Sequence, residues 1–225
     1  MGSSFSLTEE QKKAFEAILK NRESTTAEVN KQSAKYDVFS ALLGPEKILT
    51  EIKSTLSVGF KGAALFSCDP TNSKELFVAL TKLSIQNGDT PVLVLFNGNF
   101  KGVASLIKES GIFQKFYVLD CVSKSVSSAS DFDNVMFVDS LRNLTQLQIK
   151  IVQLLNEGKK VSFIFDSVWP LTLYHSDEVV LKFINSITKL LKKGGATSYY
   201  ISSNKELYFK LLQFFDESVE LKKFF

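Results

Sequence analysis

The sequence predicts a three-layer α/β/α domain with a mostly parallel central sheet and a short N-terminal helical extension. Two observations carry this. Beyond Gly62, short apolar runs alternate with amphipathic helical stretches, and apolar strands separated by helices belong to a parallel sheet covered on both faces. The composition, 44% hydrophobic and 23% charged over 225 residues, suits one globular domain with an appendage.

The elements follow in order. Residues 1–43 read as the extension. Thr8 followed by Gln11 forms a capping box, and Phe15, Ile18 and Leu19 recur at helical spacing. Ser24-Thr25-Thr26 interrupts and recaps a second short helix from about Ala27. Gly44-Pro45 marks a break, and residues 44–225 form the α/β domain, opening with a helix over Glu46–Leu56. Strands are expected at Ala63–Phe66, Pro91–Phe96, Phe116–Leu119, Val135–Val138, Val161–Phe165 and Thr197–Ile201, with a last short one at Val219–Leu221. Helices are expected at Lys74–Asn87, Lys101–Ser110, Leu144–Glu157 and Asp177–Lys193. Glycines stop them: Gly88, Gly111, Gly158 and Gly194-Gly195. In the last helix Val180, Phe183, Ile184, Ile187, Leu190 and Leu191 share one face.

Composition excludes several classes. A net charge of +3 is too small to argue for nucleic acid. Cys68 and Cys121 lie too far apart to suggest a disulfide scaffold or metal motif, and a single histidine, His175, rules out a His-rich metal centre. No apolar run approaches the length of a membrane span and no signal peptide is visible, so a cytoplasmic protein is expected.

Ligands in open α/β sheets bind outside the carboxyl ends of the strands, so the loops after Phe66, Phe96 and Phe165 should share one edge. The first, Ser67 to Glu75, stands where a phosphate-binding loop belongs. That loop needs Gly, four variable residues, Gly, Lys, then Ser or Thr, because glycines allow its backbone N–H groups to turn inward around a phosphate. Here those slots hold Cys68, Ser73, Lys74 and Glu75. Glu75 replaces the magnesium-binding hydroxyl by a carboxylate, and Asp69 adds a second negative charge. On the last loop, Asp166 ends the apolar strand VSFIF, where an acid orients magnesium and water in phosphoryl-transfer sites. The middle loop, Asn97-Gly98-Asn99, holds no general base where one would be expected.

Together these segments resemble the RecA/KaiC-like ATPase superfamily, especially its divergent archaeal KaiC-like members. Ser57 to Pro70 resembles the glycine-rich lead-in, first strand and loop entry, and Phe116 to Asp120 the strand after the second helix. Val161 to Leu171 resembles the Walker B strand, and Phe183 to Ser202 the long helix, Lys-Lys-Gly-Gly turn and next strand. Phe215 to Leu221 resembles the closing strand, so the likeness covers roughly residues 46–221. It implies a RecA-like domain, ATP and magnesium as cofactors, and assembly into rings or filaments. The sequence departs at both loop glycines, at the magnesium-binding hydroxyl and at the catalytic glutamate, where Asn97-Gly98 stand. No catalytic residue and no metal site are therefore expected. Asp69, Thr71, Asn72, Ser73, Lys74, Glu75 and Asp166 remain as a remnant nucleotide site, and no cofactor is expected beyond residual ATP and magnesium.

Each of these residues has a plainer reading. Lys74 at a helix start can be simply solvated, and Asp166 can be an acid hydrogen-bonded locally at a strand end. Cys68 at a helix N-terminus is a reactive thiol or a small buried apolar residue. His175 reads as structural, Trp169-Pro170 as an interface anchor or a packed turn, and Ser123–Ser130 as a partner-ordered or flexible loop. Three functions stay open. The first is an inactive RecA/KaiC-like pseudo-ATPase acting as a protein-interaction or regulatory module, with a protein partner or a homo-oligomer. The second is an ATP-binding domain with an atypical loop and weak or no hydrolysis. The third is a DNA-associated recombinase paralogue, disfavoured because acids balance the basic residues of the N-terminal helices.

Overall fold

In the computed structural model, residues 44–57, 59–123 and 134–221 are described, and the fold belongs to the unit Gly44–Phe225. The expected N-terminal helices and most of the Ser-rich loop lie outside the described residues.

Seven strands form one sheet in the order β4-β3-β2-β5-β6-β1-β7, with every neighbouring pair parallel. They are β1 (Ala63–Ser67), β2 (Thr90–Leu95), β3 (Tyr117–Asp120), β4 (Val135–Phe137), β5 (Val161–Phe165), β6 (Thr197–Ser202) and β7 (Glu217–Glu220). The helices are α1 (44–55), then α2 (Ser73–Gln86), α3 (Phe100–Glu109), α4 (Leu144–Asn156), α5 (Asp177–Lys193) and α6 (Lys205–Leu211). Every element expected among the described residues is present within a residue or two of its expected ends. Helix α6 and the 3-10 turn Trp169–Leu173 were not expected. Both are short, and neither shows a full amphipathic period.

Alternation along each strand builds two cores. Leu65, Val94, Phe163, Phe165 and Tyr200 face α4, α5 and α6, while Phe66, Leu93, Leu95, Ile164 and Tyr199 face α1, α2 and α3. This gives the three layers. In the first core Phe165 stacks on Tyr200 at 4.2 Å and 9° and packs beside Phe96. The helix-face residues expected on α5 are buried there, except that Leu190 is only partly so. Gly62, at φ +142°, needs its missing side chain: a Cβ would lie 2.5 Å from Asp216 Oδ2, which accepts the Ala63 N–H at 2.9 Å.

The chain path decides what meets at the carboxyl edge. Helix α2 carries the chain from β1 past two vacant positions to β2, and β3 and β4 extend the sheet outward. The return through α4 places β5 against β2 and β6 against β1. Strand β2 is thus flanked by β3 and β5. Leu95 lies in register with Asp120, and Val94 with Phe165, the residue before Asp166.

Candidate functional site

The loop after β1 does not wrap around an empty centre. Asp69 takes extended torsions (φ −62°, ψ 140°) and caps a 3-10 turn over Pro70–Asn72 that runs straight into α2. Its Oδ1 accepts the N–H and the hydroxyl of Thr71 at 3.0 and 2.7 Å. The Asn72 N–H reaches the Asp69 carbonyl at 2.9 Å, and the Ser73 N–H reaches the Pro70 carbonyl, which also accepts the Ser73 hydroxyl at 2.8 Å. The Cys68 N–H points to the Ser202 carbonyl, and Pro70 has none to offer. The N–H groups of Cys68, Thr71, Asn72 and Ser73 therefore have partners within the protein. No residue of this loop uses positive φ, so Cys68 and Ser73 stand in it without backbone strain.

Lys74 is exposed at the start of α2. Glu75 turns away from the cavity: its side chain lies where a Cβ on Gly44 would stand, 3.0 Å from Glu75 Cγ. Its Oε2 is buried with no hydrogen-bond partner among the described residues. Burial pushes the Cys68 thiol up to about 12, with Asp69 and Glu75 adding to the effect. It is a buried apolar residue and not an activated nucleophile.

The loop after β2 is gripped from both sides. Asp166 Oδ1 accepts the Phe96 N–H at 2.8 Å, and its Oδ2 accepts those of Asn97 at 3.1 Å and Gly98 at 2.8 Å. Burial raises the Asp166 carboxyl to about 6, against these amides, which pull it down. On the other side Asp120, fully buried, accepts the Phe100 N–H at 2.7 Å. It also holds the N–H groups of Val122 and Ser123 at 2.8 Å and the Ser123 hydroxyl at 2.6 Å. Asn99 then caps α3 by accepting the Gly102 N–H at 2.9 Å.

Between α2 and α3 the two loops border a cavity of about 400 Å³, within the range of small-molecule sites. Lys74, Asn97, Asn99 and Asp166 line its upper part, and Phe77, Val103, Leu106 and Glu109 line the rest. Of the expected site residues, Ser73, Lys74 and Asp166 border this cavity; Asp69, Thr71, Asn72 and Glu75 do not. Asp120 was not singled out from sequence, and Asn99 was read only as part of a loop without a general base. Asn99, three residues before Gly102 at the start of a helical pattern, carried a readable capping signal; Asp120 carried only that of an acid ending an apolar strand. Among the described residues no cluster of His, Cys, Asp and Glu could hold a metal ion. His175 Nε2–H donates to the Leu141 carbonyl at 2.9 Å, and Trp169 packs against the core while Pro170 is buried. Both are structural. No helix among the described residues is long and apolar enough to cross a membrane.

The fold and its edge define an open, all-parallel α/β domain with a cavity at the carboxyl ends of its strands. Among solved structures it is similar to a KaiC-like protein of the hyperthermophilic archaeon Pyrococcus horikoshii OT3. The identity is 12% over 72% of this chain and 74% of that chain, with a TM-score of 0.49. No protein-family model matches the sequence, and no curated protein matches it.

Proposed function

We propose that this is a RecA/KaiC-like domain that does not hydrolyse nucleotide and acts as a binding module for other proteins. One observation carries the reading: in the loop after β1 the N–H groups of Thr71, Asn72 and Ser73 close on Asp69 and on the Pro70 carbonyl. Phosphoryl transfer is catalysed by positioning and by charge stabilisation, and a loop whose amides are engaged internally supplies neither. Asp69 also holds a carboxylate at the helix entrance, where a phosphate would otherwise be welcome.

The neighbouring positions support the same reading. Glu75 faces Gly44 and not the cavity, so it does not stand in for the lost hydroxyl as a magnesium ligand. Asp166 uses both oxygens on the β2 loop. Asn97 offers no base.

The test is steady-state hydrolysis of magnesium-ATP by the full chain beside Lys74→Ala. No turnover above background is expected in either. Turnover that Lys74→Ala abolishes would overturn the reading. Thermal melting with and without millimolar magnesium-ATP separates binding from hydrolysis, because any ligand of the native state raises the midpoint. No shift is expected. A shift without turnover would favour an ATP-binding domain with an atypical loop.

A further inference from the structure

We infer that the cavity between α2 and α3 binds a short zwitterionic peptide with an apolar side chain. This rests on the non-hydrolytic reading above and names the ligand class of that site.

The argument begins with the donors the cavity still has. The N–H groups of Asn72 and Ser73 on one side, and of Phe96, Asn97, Gly98, Phe100 and Gly102 on the other, already have acceptors. A phosphate or polyphosphate needs several convergent backbone donors, and these seven are engaged by the protein itself. What remains is carried by side chains. Lys74 supplies one ammonium group. Asn97 and Asn99 supply amides, each pairing a donor with an acceptor as a peptide group does. The Asn99 oxygen caps α3, which leaves its NH₂ as a donor. This set suits one carboxylate and one peptide unit.

The far end of the cavity carries the opposite charge. Glu109 sits in the last turn of α3, and Ser105 donates to its Oε1 at 2.7 Å, leaving Oε2 to accept from a ligand. Gly102 and Glu109 both line the cavity. The seven helical steps from one to the other span about 10 Å. A free amino acid, with its two charges on one carbon, is too short to reach both ends. Two or three extended residues, at roughly 3.5 Å each, cover the distance. Between the charges lie Phe77 and Val103, both buried, and the partly buried Leu106, a surface for an aliphatic or aromatic side chain. The loop bearing Asn97 and Asn99 is fixed by Asp166 and Asp120, so it presents its amides already ordered, and preorganisation lowers the cost of binding.

The probe is the dipeptide Leu-Phe, titrated calorimetrically into the full chain beside its N-acetyl form, its C-terminal amide, and free phenylalanine. Leu-Phe is expected to bind in the micromolar-to-millimolar range. The amide should lose about tenfold in wild type and nothing further in Lys74→Ala; the N-acetyl form should lose about tenfold in wild type and nothing further in Glu109→Gln, and phenylalanine should bind at least tenfold more weakly than Leu-Phe. Both substitutions are on exposed side chains and leave the fold intact, checked by unchanged melting. No heat with millimolar Leu-Phe, or equal affinity for all four probes, would overturn the inference. Turnover of magnesium-ATP would remove the reading beneath it, whereas a silent Leu-Phe titration removes the inference alone.

Discussion

The two loops beside the cavity reach the same condition by opposite routes. After β1, Asp69 and Pro70 bond residues two or three positions away. After β2, residues 96–100 are held by carboxylates 20 and 68–70 positions away in sequence. In both, backbone amides at the edge of the cavity serve the fold. A local closure can be lost with little more than one turn of structure. A long-range clamp ties the loop to the register of three strands, so breaking it disturbs the sheet edge and the cavity together.

The largest expected effect is therefore at the more buried clamp. Asp120→Ala leaves three amides and a hydroxyl without their acceptor, and should cost about 4 kcal/mol. For a domain of this size that lowers the midpoint by roughly 8–16 °C, measured by calorimetry. Asp166→Ala should cost somewhat less, about 3 kcal/mol, because the carboxylate it removes is itself held in an unfavourable burial. Its signature is faster hydrogen exchange at Phe96, Asn97 and Gly98 with little change at Thr71. Equal exchange at both loops would break the distinction between them.

Asp166 also makes the second clamp sensitive to pH. Its folded-state carboxyl lies at about 6, above the unfolded value of about 3.9. The folded state thus holds the proton more tightly, and the contribution of this group is complete below about pH 4 and is lost as pH rises through 6. Urea midpoints should show wild type losing on the order of 1–2 kcal/mol relative to Asp166→Asn between pH 4 and 7. Parallel curves would refute this.

The local loop gives smaller numbers. Asp69→Ala removes one cap and should cost about 1 kcal/mol, with Asp69→Asn recovering part of it. Loss as large as that of Asp120→Ala would mean that the β1 loop is as deeply tied to the fold as the β2 loop. Smallest of all, Lys74→Ala should change stability by less than about 0.5 kcal/mol, as exposed substitutions do.

Much of this was legible in the sequence. The strands showed as apolar runs because a sheet covered on both faces admits few polar residues, and glycine stops delimited the helices. The turn over Asp69-Pro70-Thr71-Asn72 is built from bonds local in the chain, although in sequence the segment reads as a remnant nucleotide site. Asp120 could not be read. Many buried strands end in an acid, and nothing near Asp120 in the chain shows that its oxygens hold Phe100 and Ser123. The role of Asp166 was legible only as an alternative, an acid hydrogen-bonded locally, and its partners turned out to be local in space but remote in sequence. Helix α6 escaped because seven residues are too few to display a period.

The division follows the range of the forces. Side-chain pattern and short-range capping specify where strands, helices and the β1 loop lie, because those interactions act within a few residues of the chain. Which strands flank β2 depends on the return path of β5, and with it which carboxylates grip the β2 loop and which side chains are left to line the cavity. That choice is made by burying two apolar faces against separate helix layers at once, and it exists only when the whole sheet has formed.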